Sequence, residues 1–210
     1  MDAILDHLTY LSPSRNLLYV TDAEVGLDGT FTPSHKLEHL SCFLPGVLAL
    51  GAVTLPDAPR RHMWAARAFA QTCGMLYADS PSGLAPDEVM MRSTDATPTL
   101  WVTELEKWER SGGQGDPPGV GPAAPVSVGD GDDDEKQREY WLRNRSYYLR
   151  PETVESFYLL WRTTGDVVWR ERGWEVFEAL EREARVESGG YASLWDAHTI
   201  QSNKRDMMQR

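Results

Sequence analysis

Along most of the chain, apolar residues recur every three to four positions, the repeat of a helix that buries one face. In "TPSHKLEHLSCFLPGVLALGAV", starting at Thr32, the repeat runs through Leu37, Leu40, Phe43 or Leu44, Val47 and Leu48, with Thr and Ser available as caps. Pro45-Gly46 lies inside it and predicts a kink, because proline leaves the carbonyl four residues back without its donor. A second helix is predicted to open near Pro59, a residue suited to a first turn. Its stripe is Ala66, Phe69, Ala70, Cys73 and Tyr77, and "SPSGLAP" ends it. The two helices form a hairpin. Residues 94–108 are ambiguous, with "TLWVTELEKW" fitting a strand or a short helix. The helical repeat returns in "RPETVESFYLLWRTTG". It returns again in "DVVWRERGWEVFEALEREARV", through Trp169, Gly173, Val176, Phe177, Leu180 and Ala184. "ESGGYASLWDA" follows as a turn and a short extended piece.

One stretch breaks the pattern. From Ser111 to Glu135 the chain turns to Gly, Pro and Asp with almost no apolar content. Such a segment buries too little to offset its chain entropy, so residues 111–135 are expected to be a disordered insertion. Strand signals elsewhere are few and short. The fold class is therefore all-α, built from helical hairpins as an α-barrel or α-solenoid.

The chain of 210 residues holds one or two ordinary domains, and its hydrophobic fraction of 41% is compatible with a core. Eight Trp and eight Tyr either fill that core or line a site that stacks on flat ligands, sugar rings included. A formal charge of −11 argues against nucleic acid or an anionic membrane as partner. No stretch approaches the run of about eighteen apolar residues that spans a bilayer. The opening "MDAILDHLTYLSPSRN" shows no basic, apolar and small-residue succession of a signal peptide. Two cysteines, Cys42 and Cys73, do not decide the redox compartment.

The densest candidate chemistry is Arg150-Pro151-Glu152. Pro151 suits a first helical turn, and Glu152 there is kept ionised by the helix dipole. Glu155 and Ser156 follow at helical spacing on the same face, while Val154, Phe157 and Trp161 take another. An ionised carboxylate suits a general base; the plain alternative is a well-formed helix start with a solvated acidic face. In "HKLEHLSCF", His35 and His39 are four apart with Glu38 between them, an order unlike that of zinc proteases. A histidine satisfied by hydrogen bonds near a core is the plain alternative. The acidic run Asp130 to Glu135 lacks the ligand spacing of a calcium-binding loop and reads as a solvated tract. Asn144-Arg145-Ser146 is a glycosylation sequon, which matters only in the secretory pathway.

Several stretches then converge in order: "SHKLEHLSCFLPGVLALGA", "SPSGLAPDE", "YYLRPETVESFYLLWRTTGD", "RGWEVFEAL", "SGGYASL" and "KRDMM". Together they resemble the C-terminal half of the class I α-1,2-mannosidases, glycoside hydrolase family 47, over nearly the whole chain outside the insertion. The resemblance implies an (α/α)7 barrel, here incomplete. It implies Ca²⁺-dependent, inverting removal of terminal α-1,2-linked mannose from high-mannose N-linked glycans, in the lumen of the endoplasmic reticulum or Golgi. Glu152 falls on the family's essential glutamate, the base that activates water and orders water bound to the calcium. Glu155 matches another acidic site residue, Arg150 a residue of the substrate pocket, and His39 a histidine near the terminal mannose. Asp87 stands where the family usually carries glutamate. Cys42 and Cys73 match the family's disulfide pair. The general acid and the direct calcium ligand of the family match nothing here. The chain thus reads as a fragment, inactive by itself. A lectin-like relative that recognises glycans of misfolded glycoproteins is the alternative.

Overall fold

The computed structural model describes residues 1–93, 98–126 and 132–205. The chain opens with α1 (Asp2–His7) and two small hairpins, β1 (Thr9–Leu11) with β2 (Leu18–Val20) and β3 (Ala23–Val25) with β4 (Phe31–Pro33). Next, β5 (Lys36–Glu38) runs through a 3₁₀ turn (His39–Phe43) into α2 (Leu44–Thr54), and α3 (Arg60–Ala78) packs alongside it. Then come β6 (Glu88–Met91), α4 (Trp101–Arg110), α5 (Asp132–Arg138) and β7 (Tyr140–Asn144). The chain continues through α6 (Glu152–Thr164), α7 (Val167–Glu183), β8 (Ser193–Leu194) and β9 (Lys204–Arg205).

Helix α3 is the spine. Ala65, Ala66, Ala68 and Ala70 have no exposed surface, so neighbouring segments approach its backbone closely. The predicted stripe of Ala66, Phe69, Ala70, Cys73 and Tyr77 is buried throughout. Helix α6 ends at Gly165, whose φ of 72° is the left-handed stop that glycine adopts without strain. Asp166 then caps α7 by accepting a hydrogen bond from the Val168 amide. On α7, Trp169, Val176 and Ala179 face the core, whereas Phe177, expected on that stripe, is 43% exposed.

Three expectations are corrected. The helix predicted from Thr32 does not begin until Leu44, because Leu37 lies in a strand opposite Val89 rather than on a helix face. Pro45 consequently falls in the first turn of α2, where its missing N–H costs no helical bond and no kink arises. Second, the fold is not all-α: the described residues include four small antiparallel sheets, one of them the three-stranded β5-β6-β7. Third, residues 111–126, expected to be disordered, follow a defined path with Pro117 and Gly119 buried. Gly119 needs to be glycine twice over. Its φ is 83°, and a Cβ there would lie 3.2 Å from both Ala68 Cβ and Leu18 Cβ. Backbone carbonyls in this stretch accept from side chains elsewhere, Pro118 from Trp101 Nε1 at 2.9 Å and Ala124 from Arg15 Nη2 at 3.0 Å. The last part of the insertion and the acidic run lie partly outside the described residues, and 132–135 begin α5.

Candidate active site

The three-stranded sheet brings distant residues to one edge. The His39 amide donates to the Asp87 carbonyl at 2.8 Å, and the Asp87 amide to the Asn144 carbonyl at 3.0 Å. These bonds carry the ladder one residue past β5 and β6 and against Asn144, the last residue of β7, so the backbones of His39, Asp87 and Asn144 are linked through Asp87. From Asn144 the chain runs through Leu149 to Arg150 and the start of α6. Leu149 holds a φ of 59°, a left-handed conformation that costs a non-glycine residue about 1–2 kcal/mol. Such local strain persists only where its surroundings determine it.

Arg150 Nε donates to Asp87 Oδ1 at 2.7 Å, and Asn144 Nδ2 donates to Asp87 Oδ2 at 3.2 Å. Both oxygens of Asp87 are thereby engaged, and the guanidinium of Arg150 also lies over the Tyr148 ring at 5.8 Å. Asn144, the sequon asparagine, is therefore half-buried in this cluster. Its Oδ1 accepts from the Ser146 amide at 3.2 Å, and Ser146 is itself buried. That placement does not favour a glycan at Asn144.

His39 is 2% exposed. Its Nε2 lies 2.6 Å from Tyr77 Oη and 3.3 Å from Thr153 Oγ1, and its Nδ1 lies 3.7 Å from Glu152 Oε2. At 3.7 Å the last pair is not hydrogen-bonded, and His39 Nδ1 and Glu152 Oε2 are both buried without a partner. Tyr147 stands edge-on to both His39 and Tyr77. Burial alone would raise the pKa of Glu152. His39, the residue's own helix amide and the Arg150 charge outweigh it, and the carboxyl is held below its ordinary range. Burial pushes the Tyr147 phenol up to about 12 and the Tyr77 phenol well above its usual range. The cluster therefore holds one ionised carboxylate against neutral, hydrogen-bonded rings. It can accept a proton at Glu152 Oε2 and donate a hydrogen bond from His39.

Of the residues predicted from sequence, the structure brings together His39, Asp87, Arg150 and Glu152. Glu155 is exposed on the next turn. Ser156, expected beside it on a polar face, is buried instead, accepting from the Gly46 amide at 2.9 Å and donating to the Cys42 carbonyl at 2.6 Å. Cys42 and Cys73 are disulfide-bonded with Cα atoms 6.0 Å apart, three residues after His39 and four before Tyr77. His35 does not pair with His39. The strand between them separates the two, and His35 Nδ1 meets Tyr19 Oη at 2.7 Å. Sequence reasoning missed Tyr77, Tyr147 and Thr153. Tyr77 reads as one more stripe residue, and only a hydroxyl on a buried face distinguishes it.

The described residues do not make a calcium cage. Among the described residues no three His, Cys, Asp or Glu side chains gather as a metal site. Glu152 brings a single carboxylate, whereas Ca²⁺ takes six to eight oxygen ligands. Among the described residues no helix is long and apolar enough to cross a membrane.

Residues 1–210 match the family model for glycosyl hydrolase family 47. The chain is 32% identical to mannosyl-oligosaccharide 1,2-alpha-mannosidase MNS3 of Arabidopsis thaliana, over 100% of this chain and 31% of that protein. It is 31% identical to the endoplasmic reticulum mannosyl-oligosaccharide 1,2-alpha-mannosidase of Rattus norvegicus, over 92% of this chain and 23% of that protein. It thus spans about a quarter to a third of these relatives' length. The fold is shared with an alpha-1,2-mannosidase from Trichoderma reesei, with a TM-score of 0.72 at 24% identity over 98% of this chain and 36% of that one. This chain belongs to glycosyl hydrolase family 47.

Proposed function

We propose that the chain is part of the catalytic unit of a mannosyl-oligosaccharide 1,2-α-mannosidase, corresponding to the C-terminal half of the barrel. Its substrates are terminal α-1,2-linked mannoses of high-mannose N-glycans, met in the secretory lumen. The observation that carries this reading is the unpartnered pair of His39 Nδ1 and Glu152 Oε2, held by buried hydroxyls beside the Arg150–Asp87 ion pair.

In inverting hydrolysis a carboxylate takes a proton from water as it attacks the anomeric carbon, while a carboxylic acid protonates the leaving oxygen. Glu152 suits the first role. It is ionised at neutral pH, it lies at a helix N-terminus, and one oxygen is free to accept. Asp87 does not suit the second, since Arg150 and Asn144 occupy both its oxygens. The acid is assigned to a segment of the parent protein outside these residues. Asp87 and Arg150 are placed to bind sugar hydroxyls at the rim, and Glu155 has a peripheral place. Ca²⁺ is a family expectation for the parent and no step is derived through it.

The test uses the parent enzyme and an oligosaccharide ending in α-1,2-mannose, with released mannose as readout. Glu152→Gln is expected to lower kcat by about two orders of magnitude or more, the scale of a lost general base. Turnover within a few-fold of the parent would refute the assignment.

A further inference from the structure

A neutral imidazole carries one N–H, and what each nitrogen faces decides which one holds it. His39 Nε2 faces two hydroxyls, Tyr77 at 2.6 Å and Thr153 at 3.3 Å. Nδ1 faces only Glu152 Oε2 across 3.7 Å, and neither of these two atoms has a hydrogen-bond partner. Burial keeps the Tyr77 phenol protonated, so it has a hydrogen to give. Glu152 is ionised at neutral pH and can only accept. A lone pair on Nδ1 would oppose that carboxylate inside a site of low dielectric, whereas an N–H there is attracted to it.

We propose that Tyr77, assisted by Thr153, is a positioning residue that fixes His39 as the Nδ1–H tautomer. His39 and Glu152 then present one donor and one acceptor, 3.7 Å apart, to a single incoming hydroxyl. That hydroxyl, of sugar or of water, accepts from His39 Nδ1–H and donates to Glu152 Oε2. An ether or a deoxy carbon at the same place satisfies at most one of the two. The identity of the hydroxyl rests on the proposed function; the tautomer does not.

The test is nitrogen NMR of the protein labelled with ¹⁵N-histidine, at about pH 8, above the ordinary histidine range. His39 is assigned by the signals lost in His39→Gln. The wild type is expected to show His39 with a protonated Nδ1 and an acceptor Nε2. Tyr77→Phe should draw the two nitrogen signals toward each other as the tautomers mix. Tyr147→Phe removes a hydroxyl that is hydrogen-bonded to Tyr77 but keeps both Nε2 contacts, so the two signals should stay apart, which a general loosening of the cluster would not allow. A wild type protonated at Nε2 overturns the proposal, as does a Tyr77→Phe spectrum unchanged from it or matched by Tyr147→Phe. If Tyr77→Phe does not fold, the wild-type spectrum and Thr153→Val decide, with movement toward mixing in the latter expected and an unmoved spectrum counting against. Mannose release plays no part in this readout, so failure of the proposed activity and failure of the tautomer are separable.

Discussion

Replacing glycine by alanine at two places in α2 should have opposite effects, although both changes add one methyl group to the same helix. In a helix interior alanine is favoured over glycine by about 0.8–1 kcal/mol. At Gly51 nothing opposes this gain, because an added Cβ would meet only Leu55 Cδ1 at 3.9 Å. At Gly46 the new Cβ would lie 2.8 Å from Leu159 Cδ1, 3.1 Å from Ser156 Oγ and 3.3 Å from Ser156 Cα. The Leu159 methyl can swing aside, but the backbone of α6 cannot. Overpacking of this kind costs about 1–3 kcal/mol. Pushing the helices apart also weakens the bond from the Gly46 amide to Ser156 Oγ, 2.9 Å in the native contact. A buried hydrogen bond of that kind contributes about 1 kcal/mol. After subtracting the propensity gain, Gly46→Ala should destabilise by about 1–3 kcal/mol while Gly51→Ala stabilises by about 0.5–1 kcal/mol. Urea unfolding followed by tryptophan fluorescence, with the disulfide intact, measures both. If the two variants agree within about 0.5 kcal/mol, the close approach of α2 to α6 is wrong.

Removing the disulfide with Cys42→Ser and Cys73→Ser together should cost about 3–4 kcal/mol on the chain-entropy argument for a separation of 31 residues, read by the same unfolding assay. Asp79 is fully buried and accepts from Arg15 at 2.7 and 3.1 Å, from Tyr140 Oη at 3.0 Å and from the Val126 amide at 2.8 Å. Asp79→Ala leaves those donors without their acceptor and should cost about 3–5 kcal/mol, with a wild-type midpoint in urea counting against it. The depressed pKa of Glu152 gives a stability contribution that is full above the ordinary carboxylate value of 4.5 and fades as pH falls through the lower folded value. The melting-temperature difference between wild type and Glu152→Gln should therefore move in the variant's favour below about pH 4.5. A difference independent of pH would show that Glu152 titrates normally.

Helices α3, α6 and α7 were legible because their stripes run for three or more turns, long enough for the 3.6-residue period to be distinctive. The approach to α2 was not. Leu37 and Leu40 are three apart, as on a helix, yet a period sampled over so few residues cannot separate strand from helix. What decides is pairing with Val89 and, beyond it, Leu142, which no local pattern announces. The composition of residues 111–126 hid the anchors that hold it, since Trp101, Arg15 and Asp79 all lie outside the segment. In the site, Arg150-Pro151-Glu152 and His39 could be read from motifs. Tyr77, Thr153 and the second task of Asn144 could not, because each follows from a partner 38, 114 or 57 residues away.

The backbone link from His39 through Asp87 to Asn144 also sets an order of events during synthesis. His39 cannot reach Thr153 until 114 more residues have been made. At ordinary translation rates of about 5–20 residues per second that is a delay of roughly 6–23 s. Until β7 is made, β6 pairs with β5 on one side only and leaves its other edge open, and neither Thr153 nor Glu152 is yet in place around His39. Cys42 and Cys73 are only 31 residues apart and become available long before β7 does. A nascent chain that bridges them early would already hold His39 against α3 when Tyr147 and Thr153 arrive. Pausing of the ribosome between residues 73 and 144 should therefore favour the native pairing, whereas faster synthesis shortens the time in which the helix pair can set before its last strand is added.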